Sequence, residues 1–215
     1  MFATDRDLLA FEPNLFRDIG WIGQRLCKGT ATVAGSIMTI SGADVALDAA
    51  GVGSGSVVMI GGTAYEVIER LTSTTARISL VRPGSTDAPI PVGPIAAATA
   101  CSVPTFAPQI AQVHGQVLRM VGIEPGATSS PGRPAESDIT NPAAFTRLEC
   151  LGALHMIYSA AWALTGADSP ISQRAEWYRQ RFAMERERVA AEIDLNGDGQ
   201  PDAKRRRNVI QLLRA

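Results

Sequence analysis

The sharpest candidate for chemistry in this chain is Asp194-Leu-Asn-Gly-Asp-Gly-Gln-Pro-Asp202. Oxygen-bearing side chains at the first, third, fifth and ninth positions, with glycine at the sixth, match the front of a calcium-binding loop, where alternate side chains turn inward onto a hard cation. Asp194, Asn196, Asp198 and Asp202 are therefore the candidate Ca2+ ligands. The twelfth position of such a loop supplies a bidentate Glu, and here it is Arg205. The same run also reads as an Asx/Gly turn that stops the preceding helix and redirects the chain. The missing Glu favours the turn, and Ca2+ is the single cofactor the sequence suggests.

Next to it lies a basic, aliphatic tail. Residues 203–215 carry Lys204, Arg205, Arg206, Arg207 and Arg214 without an acid, together with Val209, Ile210, Leu212 and Leu213. Solvation of a frayed tail accounts for the arginines but not for four aliphatics, so the segment reads as a docking arm for a protein partner.

Other candidates are weaker. His114 and His155 sit inside helical patterns with no Cys, Asp or second His one turn away, which points to core or interface histidines. Gly51-Val-Gly-Ser-Gly55 lacks the Lys-Ser/Thr of a phosphate loop and reads as a turn. Cys27, Cys101 and Cys150 are too far apart and too few for a disulfide framework or a paired metal site. Trp162, Trp177 and Tyr178 read as packing anchors. No nucleophile elbow, zinc-helix motif or paired carboxylate stands out, so the expected class is non-enzymatic.

These residues need elements to position them. The 215-residue chain has 20 Lys+Arg, 21 Asp+Glu and a net charge of −1, which rules out bulk electrostatic attraction to nucleic acid or anionic membrane as its driving force. No apolar run reaches the roughly 20 residues that span a bilayer, and charges occupy the first residues where a signal peptide would be apolar. From Gly29 to Ala100 the chain is rich in Gly, Thr, Ser and Val. Candidate strands are Thr30-Ala-Thr-Val-Ala34, Ser36-Ile-Met-Thr-Ile40, Gly55–Ile60, Thr63–Arg70 and Ala76–Val81, with Gly61-Gly62 as a hairpin turn. The prolines from Pro83 to Pro104 mark a connector. Helical spacing then runs over Phe106–Val121, over a mostly apolar segment from Asn141-Pro142 to Thr165 before Gly166, and from Ser169-Pro170 to about Ile193.

The expected architecture is α+β: a helical bundle of about three long helices, with a small antiparallel β-barrel or sandwich module near the N-terminus. Its divisions are an N-terminal segment packing on the bundle (1–28), the β module (29–100), the bundle (101–193) and a turn plus docking arm (194–215). A middle helix apolar around most of its girth calls for cover from neighbouring copies, with Phe145, Leu148, Leu151, Tyr158, Trp162 and Trp177 at the subunit interface.

The helix Arg174-Ala-Glu-Trp-Tyr-Arg-Gln-Arg-Phe, followed by Glu192-Ile-Asp-Leu-Asn-Gly-Asp-Gly and a basic tail, resembles the head-tail connector (adaptor) proteins of tailed bacteriophages. The apolar helix Ala143–Ala163 is similar to the second core helix of that family, and Asp7-Leu-Leu-Ala-Phe-Glu-Pro and the β module look like additions found in larger adaptors. The resemblance implies a structural virion protein of the neck, assembled in the host cytoplasm: a homo-oligomeric ring, usually of twelve copies, under the portal protein. It would carry a tail completion, terminator or tube protein, with genomic DNA passing through its lumen without sequence-specific contact and no membrane involved. Carried onto this chain, Lys204, Arg205, Arg206, Arg207, Val209, Ile210, Leu212 and Leu213 form the portal-docking arm. A calcium-dependent binding module using the Asp194–Asp202 loop is the alternative.

Overall fold

A computed structural model describes residues 1–21, 23–130, 132–165 and 169–206, and the backbone of 209–212. The chain forms two compact units, one of residues Thr4–Ala107 and one of Met1–Ala3 with Pro108–Ala215.

The first unit opens with helices α1 (Asp5–Phe11) and α2 (Leu15–Asp18). Six strands follow: β1 (Gln24–Ala34), β2 (Ile37–Ser41), β3 (Val57–Ile60), β4 (Thr63–Arg70), β5 (Thr75–Ser79) and β6 (Ile95–Thr105). They close into an antiparallel barrel in the order β1-β2-β5-β4-β3-β6. Closure removes the open edges that a short sandwich would leave. The two eleven-residue strands, β1 and β6, pair along their length with bulges between Arg25 and Cys27 and between Ala31 and Val33. Bulges of this kind bend a strand and let a barrel turn its corners. Period-two alternation sends Cys27, Ala31, Val33, Met38, Ile40, Val58, Ile60, Val67, Ile78 and Val103 inward, where Leu47, Val52 and Val92 from the loops complete the core. The Gly61-Gly62 hairpin forms as expected: Ile60 pairs with Thr63, and both glycines take positive φ, 57° and 84°.

The second unit contains α3 (Ala107–Met120, which begins one residue inside the barrel unit), α4 (Ala143–Thr165), α5 (Pro170–Arg188) and a three-stranded sheet, β7 (Ala191–Ile193), β8 (Ala203–Arg206) and β9 (Val209–Leu212), in the order β7-β8-β9. Ser169 caps α5 as its sequence predicts, accepting the Ser172 N–H. Val113, Val117, Leu118, Ile123, Phe145, Leu148, Ala191 and Ile193 share one core. Gly152 is what lets the helices come this close. A Cβ there would lie 2.6 Å from Val113 Cγ1 on α3 and 2.9 Å from Phe182 Cε2 on α5.

The expected long helical bundle with a minor β module is not what forms. The chain is a mixed α/β protein whose main sheet is the closed six-stranded barrel, accompanied by five α-helices among the described residues. The proline-marked stretch expected as a connector ends in β6, the strand that closes the barrel. The third long helix stops at Arg188, and Ala191–Ile193 is a strand instead. There Asn141 accepts the Glu192 N–H at 2.9 Å and donates its amide to Ala190 O at 2.9 Å, while Thr140 N donates to Glu192 O at 2.8 Å. Partners about fifty residues away thus override a helical stripe through Val189 and Ile193. Residues from Thr4 to Lys28 belong to the barrel unit, and only Met1–Ala3 lie with the helices. Gly166, the expected helix stop, is outside the described residues.

Candidate functional site

Charged groups in each unit gather first into buried clamps. In the barrel unit Glu66 on β4 is fully buried and receives Arg6 Nε at 2.9 Å and Arg82 Nε at 2.5 Å. Arg6 also reaches Asp7 at 3.0 Å and the Arg82 carbonyl. The group ties α1 to β4 and to the segment after β5. Beside it, Asp5 accepts Thr105 Oγ1 at 2.6 Å and Phe106 N at 2.7 Å. Burial pushes the Asp5 carboxyl up to about 6, against the lowering effect of those two hydrogen bonds.

In the helical unit His114 on α3 is held between carboxylates. Its Nδ1 lies 2.6 Å from Glu149 Oε1 and its Nε2 lies 3.0 Å from Glu136 Oε2. Glu149, fully buried on α4, also accepts the N–H groups of Phe2 and Ala3 at 2.9 Å each. With both ring nitrogens engaged, His114 presents no lone pair to a substrate or metal. Burial works to raise the Glu136 carboxyl, but the hydrogen bonds from the terminal amine and His114 outweigh it and hold the group below its usual range. Sequence spacing missed this cluster because its partners stand 22 and 35 residues from the histidine. His155 contacts Ala175 O and Ser159 Oγ at 3.2 Å each. The three cysteines are buried; burial and then the neighbouring Cys27 push the Cys101 thiol up to about 12, far from a nucleophile's range.

The Asp194–Asp202 run is a tight, internally bonded turn. Asp194 accepts the N–H groups of Gly199 and Gly197 at 2.7 Å and of Asn196 at 3.1 Å. Asp202 accepts those of Leu195 and Asn196, and Asp198 accepts that of Gln200. The Gly199 N–H and its neighbours hold the Asp194 carboxyl below its ordinary range, so the turn stays anionic. Among the described residues, no group of three or more His, Cys, Asp or Glu is placed to hold a metal ion.

The expected interface residues divide. Phe145, Leu148, Leu151 and Tyr158 are buried in the single chain, so the middle of α4 is covered without a sister copy. Trp162 and Trp177 are exposed, by 43% and 45%. On α5, Trp177, Arg181, Met184 and Arg188 recur at three- and four-residue steps and share one exposed face. The Arg181 guanidinium lies 3.8 Å from the Trp177 ring centre, and Trp177 meets Tyr178 edge-on.

The described part of the basic tail forms strands and not an extended arm. Lys204, Arg205 and Arg206 form β8, paired with β7 on one side and with β9, containing Val209, Ile210 and Leu212, on the other. Lys204 reaches Glu192 at 3.1 Å and Arg205 donates to Gly122 O at 3.2 Å. Arg207 and Leu213 lie outside the described residues.

No protein-family model, curated protein or solved structure matches this chain. The reading of the site therefore stands on its geometry. The internal charge clusters clamp backbone in place, while the exposed features are a mixed arginine/aromatic helix face, an anionic turn and a short sheet. Among the described residues that sheet ends on a strand, β9, paired on one side only.

Proposed function

We propose that this chain is a structural subunit of a tailed-phage neck, an adaptor that joins the portal to the tail as a ring around the DNA channel. The supporting observation is the C-terminal sheet. Where the adaptor resemblance places a portal-docking arm, the chain carries a basic strand, β8, and beyond it β9 with its outer edge unpaired among the described residues. An unpaired edge accepts a strand from a partner by main-chain hydrogen bonding, with side chains supplying selectivity. Lys204, Arg205 and Arg206 add cationic groups for an acidic partner segment. The docking element in this reading is a preformed sheet edge, which loses less conformational entropy on binding than a free arm.

The ring of twelve, the tail-side partner and the virion location belong to the same proposal. The test is capture of the portal protein by the full chain and by a chain ending at Arg206. Capture by the first and its loss in the second supports the reading. Equal capture by both, or none by either, removes it.

A further inference from the structure

We infer that copies of this protein associate, the Asp194–Asp202 turn of one copy seating on the Trp177–Arg188 face of α5 in another. Two patches of opposite character carry the inference. The face on α5 is cationic and apolar: Trp177 and Met184 are exposed by 45% and 54%, and Arg181 and Arg188 alternate with them. Stacking on the indole fixes the Arg181 guanidinium plane while leaving its N–H edges for an acceptor. Arg181 covers one face of the indole, and its guanidinium suits the α5 face to a carboxylate-bearing protein surface.

The turn has the complementary chemistry. Asp194, Asp198 and Asp202 lie on a loop whose shape is fixed by hydrogen bonds to its own backbone. Leu195 stands among them, 42% exposed. Each Asp198 oxygen has one protein donor, Gln200 N at 2.8 Å and Asn196 Nδ2 at 3.2 Å, which leaves acceptor capacity for a guanidinium. The face spans about 16 Å from residue 177 to residue 188 at 1.5 Å per residue, enough to receive a turn of this length. Leucine against Trp177 and Met184, with aspartates opposite Arg181 and Arg188, satisfies both patches at once.

Charge decides the pairing. A turn-on-turn contact would set aspartate against aspartate, whereas the turn on the α5 face sets aspartate against arginine. The contact is therefore between unlike patches of two copies. This deepens the adaptor reading by naming the contact between copies, but its test involves no portal protein, so the two can fail separately.

The experiment uses the full chain without partners: native mass spectrometry and light scattering, up to about 1 mM, at low and high salt. Concentration-dependent association that weakens with salt is expected. Arg181→Glu and Asp198→Lys should each weaken it by about tenfold or more. An equimolar mixture of the two variants should recover it, because each reversed patch then finds its opposite. A wild-type chain that stays monomeric across the range, single variants that associate like wild type, or a mixture that stays dissociated would each overturn the inference.

Discussion

Gly152 is the residue whose replacement separates propensity from packing. Alanine in the interior of α4 gains about 1 kcal/mol of helix propensity over glycine. The added Cβ, however, meets Val113 Cγ1 at 2.6 Å, a short and stiff side chain that has nowhere to retreat. We expect Gly152→Ala to destabilise the chain by about 1–3 kcal/mol, the usual cost of overpacking, as read by denaturant unfolding. A net gain in stability would mean that α3 and α4 are farther apart than they stand here. Asp5 offers a second measurement at this scale. Its folded carboxyl titrates near 6 against an ordinary value of 3.8, so the folded chain holds that proton more tightly than the unfolded one. The stability this group contributes is full below about 3.8 and is lost as pH rises through about 6, a difference of about 3 kcal/mol. Asp5→Asn keeps the shape of the protonated form. It should raise the melting temperature at pH 7 and remove this group's share of the pH dependence between 4 and 6; a variant with the wild-type pH profile would place the titration elsewhere.

Among elements, α1 depends on the charge group beneath it. Glu66 is fully buried between Arg6 and Arg82, so Glu66→Ala leaves two guanidiniums without their shared counter-ion and should cost about 3–5 kcal/mol. Replacing all three, as Arg6→Met, Glu66→Leu and Arg82→Met, should recover most of that loss, since apolar groups of similar volume commonly substitute for a buried ion network. A triple variant as unstable as Glu66→Ala would show that the hydrogen bonds from Arg6 to the Arg82 carbonyl and from Arg82 to the Asp87 carbonyl matter more than the ion pairs. How legible such elements were in the sequence follows from how local their causes are. Gly61-Gly62 announces its hairpin by itself, and the bounds of α3 and α4 follow from apolar spacing and flanking turn residues. By contrast, β6 begins in Ile95-Ala-Ala-Ala-Thr, a run with little intrinsic strand preference, and becomes a strand because β1 and β3 pair with it. The same holds for β7, fixed by Asn141 and β8 from afar, and for the His114–Glu149 pair joining α3 to α4. Exposure was equally hidden: nothing in the spacing of α4 tells Tyr158, which is buried, from Trp162, which is not.

At the scale of the whole molecule, each unit has a hydrophobic core of its own, and the barrel is closed upon itself. A closed sheet with its own core and its own buried ion group has the ingredients of an autonomous domain. Residues Thr4–Ala107 made alone should therefore unfold cooperatively, with the dispersed amide spectrum of a packed β-structure. Glu66→Ala should lower the melting point of this fragment by about as much as it lowers the matching transition of the full chain. Gly152→Ala lies in the other unit and should leave that transition where it is, shifting only the unfolding of the helices and the C-terminal sheet. If both substitutions moved a single common transition, the units would be thermodynamically one body, and the barrel would owe its stability to the rest of the chain. If instead the fragment melts as expected, the barrel can be carried or exchanged without disturbing the second unit, where the α5 face, the anionic turn and the β9 edge all reside. Every association surface proposed above would then survive loss of the barrel from the fold's energetics, and variants in the barrel core should leave self-association and portal capture unchanged.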